Sequence, residues 1–60
     1  MKIKFFNQDG DTVREIEENI HTSTMYLSAK SIYINTTLYD VIDTVVDLDD
    51  EQIQISLEER

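Results

Sequence analysis

Alternation of apolar and polar residues marks two strands, one near each end of the chain. The run QIQISL at 52–57 alternates without a break, so its two isoleucines and its leucine share one face. The run KIKFF at 2–6 places Ile3 and Phe5 on one face and two lysines on the other. A period of two residues is typical of a strand with one buried side. Both runs are therefore predicted to be half-buried strands, and SIYIN at 31–35 is predicted to be a third.

Short polar segments separate these runs and predict the turns. Asp9-Gly10 holds the only glycine of the chain. This dipeptide between two periodic runs indicates a hairpin, because glycine tolerates the positive φ that a tight turn requires. Further turns or polar connections are predicted at 19–24, 28–30, 35–37 and 47–51.

Two segments fit either a helix or a strand. Residues 12–20 contain a narrow apolar stripe at helical spacing behind a capping-box pattern. Residues 38–48 contain a broader stripe at i, i+3, i+4, i+7 and i+8. The hairpin signal just before 12–20 favours a strand there. The many Val, Ile, Thr and Tyr residues favour a strand at 38–48, bent or bulged because neither face is cleanly apolar.

These elements predict a single all-β domain over residues 1–60. About five short strands are compatible with a small curled antiparallel sheet or an SH3-like barrel, in which curling covers one face with little material. The alternative is an α+β fold with a helix at 12–20 or 38–48. A chain this short buries only about 60% of its unfolded surface. It has no cysteine, so no disulfide reinforces the core.

The net charge of −8 is concentrated in the second half of the chain. Residues 1–30 carry five acids and four bases, whereas residues 31–60 carry eight acids and one base. Such a surface repels phosphate and anionic lipid, so neither direct nucleic-acid binding nor membrane binding is expected, and a basic surface of a host protein is the favoured partner. The chain shows no signal-peptide pattern and no apolar run of membrane-spanning length, which favours a cytoplasmic location.

Few residues offer chemistry. His21 is the only histidine, and with no cysteine and one glycine the chain contains no triad signature, thiolate site or phosphate-binding loop. The acids of 47–58 resemble the spacing of a calcium loop, but Gln52 stands where that loop needs glycine. No enzymatic activity, no cofactor and no metal ion is therefore expected.

Carboxylates and tyrosines of the second half are the candidate partner-binding residues. Along a strand, Asp43 and Asp47 would share a face about 13 Å apart, a spacing at which carboxylates can imitate backbone phosphates. Tyr33 and Tyr39 flank one turn, where they could lie opposite each other, and tyrosine combines a large contact area with a polar tip. The alternative is that the charge serves solubility and the tyrosines pack the core. The predicted binding set is Asp40, Asp43, Asp47, Asp49, Asp50, Glu51, Tyr33 and Tyr39.

The early Asp-Gly hairpin and the run SIYINTTLYDVIDTVVDLDDEQIQISLEE resemble small acidic orphan proteins of phages and mobile elements of Gram-positive bacteria. That group includes proteins of unknown function and compact inhibitors of host or defence enzymes. The resemblance carries over no individual site residue. Together with the charge, it implies a non-enzymatic protein-binding module, in its sharper form a phage-type inhibitor with a nucleic-acid-mimicking patch. The alternative is a self-associating structural component that forms a homo-oligomer.

Overall fold

A computed structural model describes all residues from 1 to 60 and contains five strands and two short helical turns. The all-β prediction with about five strands is confirmed. In chain order, the elements are β1 (Lys2–Phe6), β2 (Thr12–Glu17), α1 (Ile20–Ser23), a 3-10 turn (Thr24–Ser28), β3 (Ser31–Ile34), β4 (Thr37–Asp47) and β5 (Gln52–Glu59).

The strands form one sheet in the order β2-β1-β5-β4-β3, curled into a half-barrel. Three neighbouring pairs are antiparallel, but β1 and β5 run parallel, with Ile3 beside Ile53 and Phe5 beside Ile55. The sheet is therefore mixed, which corrects the expectation of a wholly antiparallel one. An alternating pattern defines the faces of a strand and not its direction. Strands β1 and β5 lie in the middle of the sheet, where a neighbour on each side helps to bury their inner apolar residues.

Six apolar side chains form the core on the concave face of the sheet. They come mainly from the central strands β1 and β5, whose predicted inner residues are all at most 2% exposed. Residues of β2, β3 and β4 pack around them at partial burial. The buried core consists of Ile3, Phe5, Ile34, Ile53, Ile55 and Leu57.

Both ambiguous segments contain strands, and neither forms the helix that the alternative placed there. The bend expected in 38–48 is present as a shift of register between Val41 and Asp43 in the pairing of β4 with β5. Beyond the bulge, Thr44 and Val46 lie opposite the buried residues Ile55 and Ile53. Pairing with β5 on a shared apolar face thus overrides the helical spacing, and the β-branched composition supports the same result.

A helical segment lies between β2 and β3, where the sequence predicted only turns or polar connections at 19–24 and 28–30. The Asn19 side chain accepts a hydrogen bond from the Thr22 amide at 2.7 Å and caps α1. The segment leads from one edge strand, β2, to the other, β3. Tyr26 of the 3-10 turn packs edge-to-face on Phe5, with ring centroids 5.9 Å apart. None of the helices has the length and apolar character that a membrane crossing requires.

Three predicted turns close the hairpins through residues in the left-handed region. Gly10 has a φ of 85° in the β1–β2 turn. Asn35 and Thr36 form the two-residue β3–β4 turn with φ of 48° and 64°, and Glu51 ends the β4–β5 turn with a φ of 52°. Two consecutive positive φ angles are typical of a type I′ turn, whose twist matches that of the flanking strands.

Candidate partner-binding surface

The β4–β5 turn carries a cluster of carboxylates at one end of the sheet. We call this cluster the acidic tip and define it as Asp47, Asp49, Asp50 and Glu51. The last three side chains are exposed, and Asp47 is partly buried. The four salt bridges of the protein involve other carboxylates, so none of the acidic tip is neutralised by a basic side chain. The structure therefore brings four of the predicted binding residues together.

Asp47 also holds the shape of the turn. Its Oδ1 atom accepts hydrogen bonds from the backbone amides of Asp49 and Asp50 at 3.1 and 3.2 Å. In turns, an aspartate side chain can accept hydrogen bonds from backbone amides that have no partner in the strand ladder. One carboxylate of the tip is thus partly structural, and the other three remain free to contact a partner.

Asp43 extends the tip along β4. In the register of the β4–β5 ladder, Asp43, Val45 and Asp47 lie opposite Ser56, Gln54 and Gln52 on the outer, convex face. Asp43 and Asp47 therefore share a face, as expected, at a spacing of about 13 Å along the strand. The Asp43 carboxylate accepts a hydrogen bond from the amide of Thr44 at 2.9 Å and forms no salt bridge.

Asp40 lies apart from this group and is already paired. Arg60 donates from Nε to Asp40 Oδ1 at 3.0 Å, and its terminal nitrogen Nη2 donates to the same oxygen. The hydrogen bond to Asp40, followed by the charge attraction, raises the pKa of Arg60 above its ordinary value. Asp40 lies seven residues before Asp47 on the same strand, about 23 Å away if fully extended. Asp40 therefore does not belong to one continuous acidic surface with the acidic tip.

The two candidate tyrosines lie on different faces of the sheet. Tyr33 pairs with Leu38, whereas Tyr39 pairs with Ile32. The prediction that the tyrosines lie opposite each other is wrong, because the two-residue turn sets Ile34 against Thr37 and places them one step out of register. Tyr33 is 69% exposed, and Tyr39 packs against the core. Of the two, Tyr33 alone offers its ring to a partner.

Half of β4 has no neighbouring strand on its outer side. The ladder with β3 covers only Thr37–Asp40, and its last bond runs from the Val41 amide to the Lys30 carbonyl. The remaining stretch, Ile42–Asp47, has β5 as its only neighbouring strand: residues 43–47 pair with it, and Ile42 is the unpaired residue of the bulge. We call this stretch the open edge. Three of its apolar side chains are about half exposed: Ile42 56%, Val45 47% and Val46 45%. The sequence pattern does not predict this edge, because the edge results from the difference in length between β3 and β4.

A groove of about 310 Å³ opens where the two edge strands approach each other. The Arg14 guanidinium of β2 donates to Asn35 Oδ1 in the β3–β4 turn at 2.8 Å, which joins the two edges. Arg14 pairs with Phe5, so it lies on the concave face despite its charge. Sequence analysis did not identify Arg14, because a strand pattern does not show which distant turn lies within hydrogen-bonding distance of a side chain. The groove is lined mainly by Phe5, Ile16, Tyr26, Ile32 and Ile34.

No three potential metal ligands from histidine, aspartate and glutamate come together in a coordinating arrangement. The single histidine, His21, is exposed in α1. What the surface offers is charge, an unpaired strand edge and exposed apolar side chains. Comparisons with protein-family models, with curated proteins and with solved structures find no match to this chain.

Proposed function

We propose that this protein is a non-enzymatic protein-binding module that binds a basic surface of another protein through its acidic tip and Asp43. One observation carries the proposal: the acidic tip lies at one end of the sheet, Asp43 follows on the same face of β4, and none of these carboxylates forms a salt bridge. Acids elsewhere are partly neutralised, since Glu15 pairs with Lys2 and Lys4, and Asp40 pairs with Arg60. Asp9, Asp11, Glu18, Glu58 and Glu59 also lack a basic partner. The acidic tip differs from them in placing four such carboxylates within one turn and in continuing to Asp43 along β4.

The clustered carboxylates of the acidic tip are expected to increase mainly the rate at which a basic partner associates. Clustered charges of one sign attract an oppositely charged surface over about 8–10 Å at physiological ionic strength. They raise the association rate more than they strengthen the final complex. Binding through the tip is therefore expected to weaken as salt increases.

A sharper form of the proposal rests on the resemblance to small acidic proteins of phages and mobile elements. In that form, the module is a cytoplasmic inhibitor that fills a nucleic-acid-binding groove of a host or defence protein. The shared face of Asp43 and Asp47 supports it, because spaced carboxylates on a strand can occupy the positions of phosphates.

Two charge-reversed baits test the proposal. The first, D49K/D50K, reverses the acidic tip, and the second, D9K/D11K, reverses two exposed aspartates of the β1–β2 turn. Each substitution replaces −1 by +1, so both variants carry the same net charge. The two turns lie at opposite ends of the sheet, because Lys2 and Gln52 begin parallel neighbouring strands.

Affinity capture from the native host, quantified by mass spectrometry, compares these baits with the wild type. A genuine partner is retained by the wild type and by D9K/D11K, lost from D49K/D50K, and released by about 0.5 M salt, where screening is strong. Equal retention of every captured protein on all three baits would show that the tip does not mediate binding. Circular dichroism of both variants checks that the fold is retained.

A further inference from the structure

We infer that the open edge of β4 receives the partner as an added strand: an extended basic segment of another protein pairs with Ile42–Asp47. This inference rests on the proposed function and specifies how the basic partner is held. The partner segment is described by its chemistry: four to six extended residues with lysine or arginine at alternate positions. The acidic tip attracts this segment, and the open edge fixes its position.

The backbone of the open edge is the first argument. A strand with one neighbour presents unpaired N–H and C=O groups on its free side, and these groups template a further strand. Ile42–Asp47 has β5 on one side and no strand on the other. One amide of this stretch, that of Thr44, donates to Asp43 Oδ1 at 2.9 Å and is not counted among the free donors. At about 3.3 Å per residue, this stretch is about 20 Å long and matches a peptide of about six residues.

The side chains of the open edge are the second argument. Ile42, Val45 and Val46 are each about half exposed, although they belong to the longest strand of the sheet. A strand added alongside β4 would cover them through cross-strand contacts at about 5 Å. Natural edge strands rarely leave apolar residues exposed in this way unless another chain covers them.

The bulge in β4 is the third argument. The register shift between Val41 and Asp43 falls at the boundary between the half of β4 that β3 covers and the half that it leaves open. Bulges bend a strand, increase its twist and are frequent next to functional sites. Here the bulge separates the part of β4 that completes the sheet from the part that is available to a partner.

Charge selects the occupant. Asp43 and Asp47 share the outer face of the open edge, with Val45 between them. No lysine or arginine occurs from residue 31 to residue 59. A basic side chain directly opposite either aspartate gains a favourable cross-strand pair. A second copy of this protein would instead bring two molecules of charge −8 together, and acidic residues on an edge oppose such self-pairing.

Backbone methylation of a peptide probe tests strand addition directly. The probe is a fluorescent heptapeptide with the sequence Lys-Val-Lys-Val-Lys-Val-Lys. A strand presents the N–H groups of alternate residues to its two sides. Methylating the valine nitrogens therefore removes the donors of one side, and methylating the lysine nitrogens removes those of the other. We expect one methylated series to lose binding at least about tenfold and the other to retain it, with binding weakened by salt.

Amide hydrogen exchange of the protein locates the probe. Amides of the open edge that face solvent exchange fast in the free protein, because they have no ladder partner. With the heptapeptide bound, some amides of Ile42–Asp47 should exchange at least about tenfold more slowly, and the turn amides around Gly10 should not change.

The outcomes separate the two proposals. If both methylated peptides bind as well as the parent and salt still weakens binding, strand addition is wrong and the acidic function stands. If a glutamine-for-lysine peptide binds as tightly as the parent and protects the edge, the edge docks a strand but the basic partner is wrong. Absence of binding by the parent peptide overturns strand addition, and the capture experiment with the charge-reversed baits then decides the proposed function independently. A dimer in a light-scattering dilution series, with the same edge amides protected, overturns the basic occupant in favour of a second copy.

Discussion

Shortening Ile55 by one methylene is the most direct test of which face of the sheet is buried. Ile55 is 0% exposed and lies in β5 between Phe5 of β1 and Thr44 of β4. Ile42 carries the same side chain on the neighbouring strand but is 56% exposed. Ile55→Val and Ile42→Val therefore remove the same atoms from opposite environments, and each variant is the control for the other.

The expected cost follows from burial. Moving one methylene out of water stabilises a fold by about 0.8 kcal/mol, and the cavity left by its removal adds to the loss. Ile55→Val should therefore destabilise the protein by about 1 kcal/mol. A 60-residue domain has a total stability of about 3–9 kcal/mol, so this change is large enough to measure without unfolding the protein. Ile42→Val should change the stability by less than about 0.5 kcal/mol.

Urea unfolding followed by circular dichroism measures both variants. A small domain has an m-value of about 1 kcal/mol/M, so the midpoint of Ile55→Val should fall by about 1 M. Its melting temperature should fall by about 4–8 °C. Equal shifts for the two variants, or a larger shift for Ile42→Val, would refute the assignment of the concave face as the core.

Two further substitutions test the turns. Thr36 is a β-branched residue with a φ of 64°, so Thr36→Gly should stabilise the protein by about 0.5–1 kcal/mol. Thr12→Gly in β2 should instead destabilise it. Melting temperatures of the two variants that shift in the same direction would contradict this. Asp47→Ala removes the acceptor of two turn amides and should cost about 1 kcal/mol, while Asp47→Asn keeps an acceptor oxygen and most of the stability. Equal losses in urea unfolding would show that the charge, not the hydrogen bonds, holds the turn.

The candidate site was only partly predictable from the sequence. Charge counting identified the acids of the β4–β5 turn, because these acids are close in sequence and one short turn therefore brings them together. It also included Asp40, which the structure pairs with Arg60, twenty residues further along the chain. Tyr33 and Tyr39 were grouped by proximity to one turn, but a one-residue offset in register places them on different faces. The open edge was not predictable, since it depends on where β3 ends relative to β4.

Local patterns determined the strands of this protein, although not the helical segment between β2 and β3. Alternation fixed which residues of β1 and β5 are buried, and turn residues fixed where the hairpins close, because both depend on the chain within a few residues. Tertiary structure alone decided the parallel pairing of β1 with β5, the reach of Arg14 to Asn35 and the uncovered half of β4. Each of these joins or separates segments distant in sequence. The physical reason is that burying apolar faces requires a particular arrangement of whole strands, and many arrangements share the same local pattern.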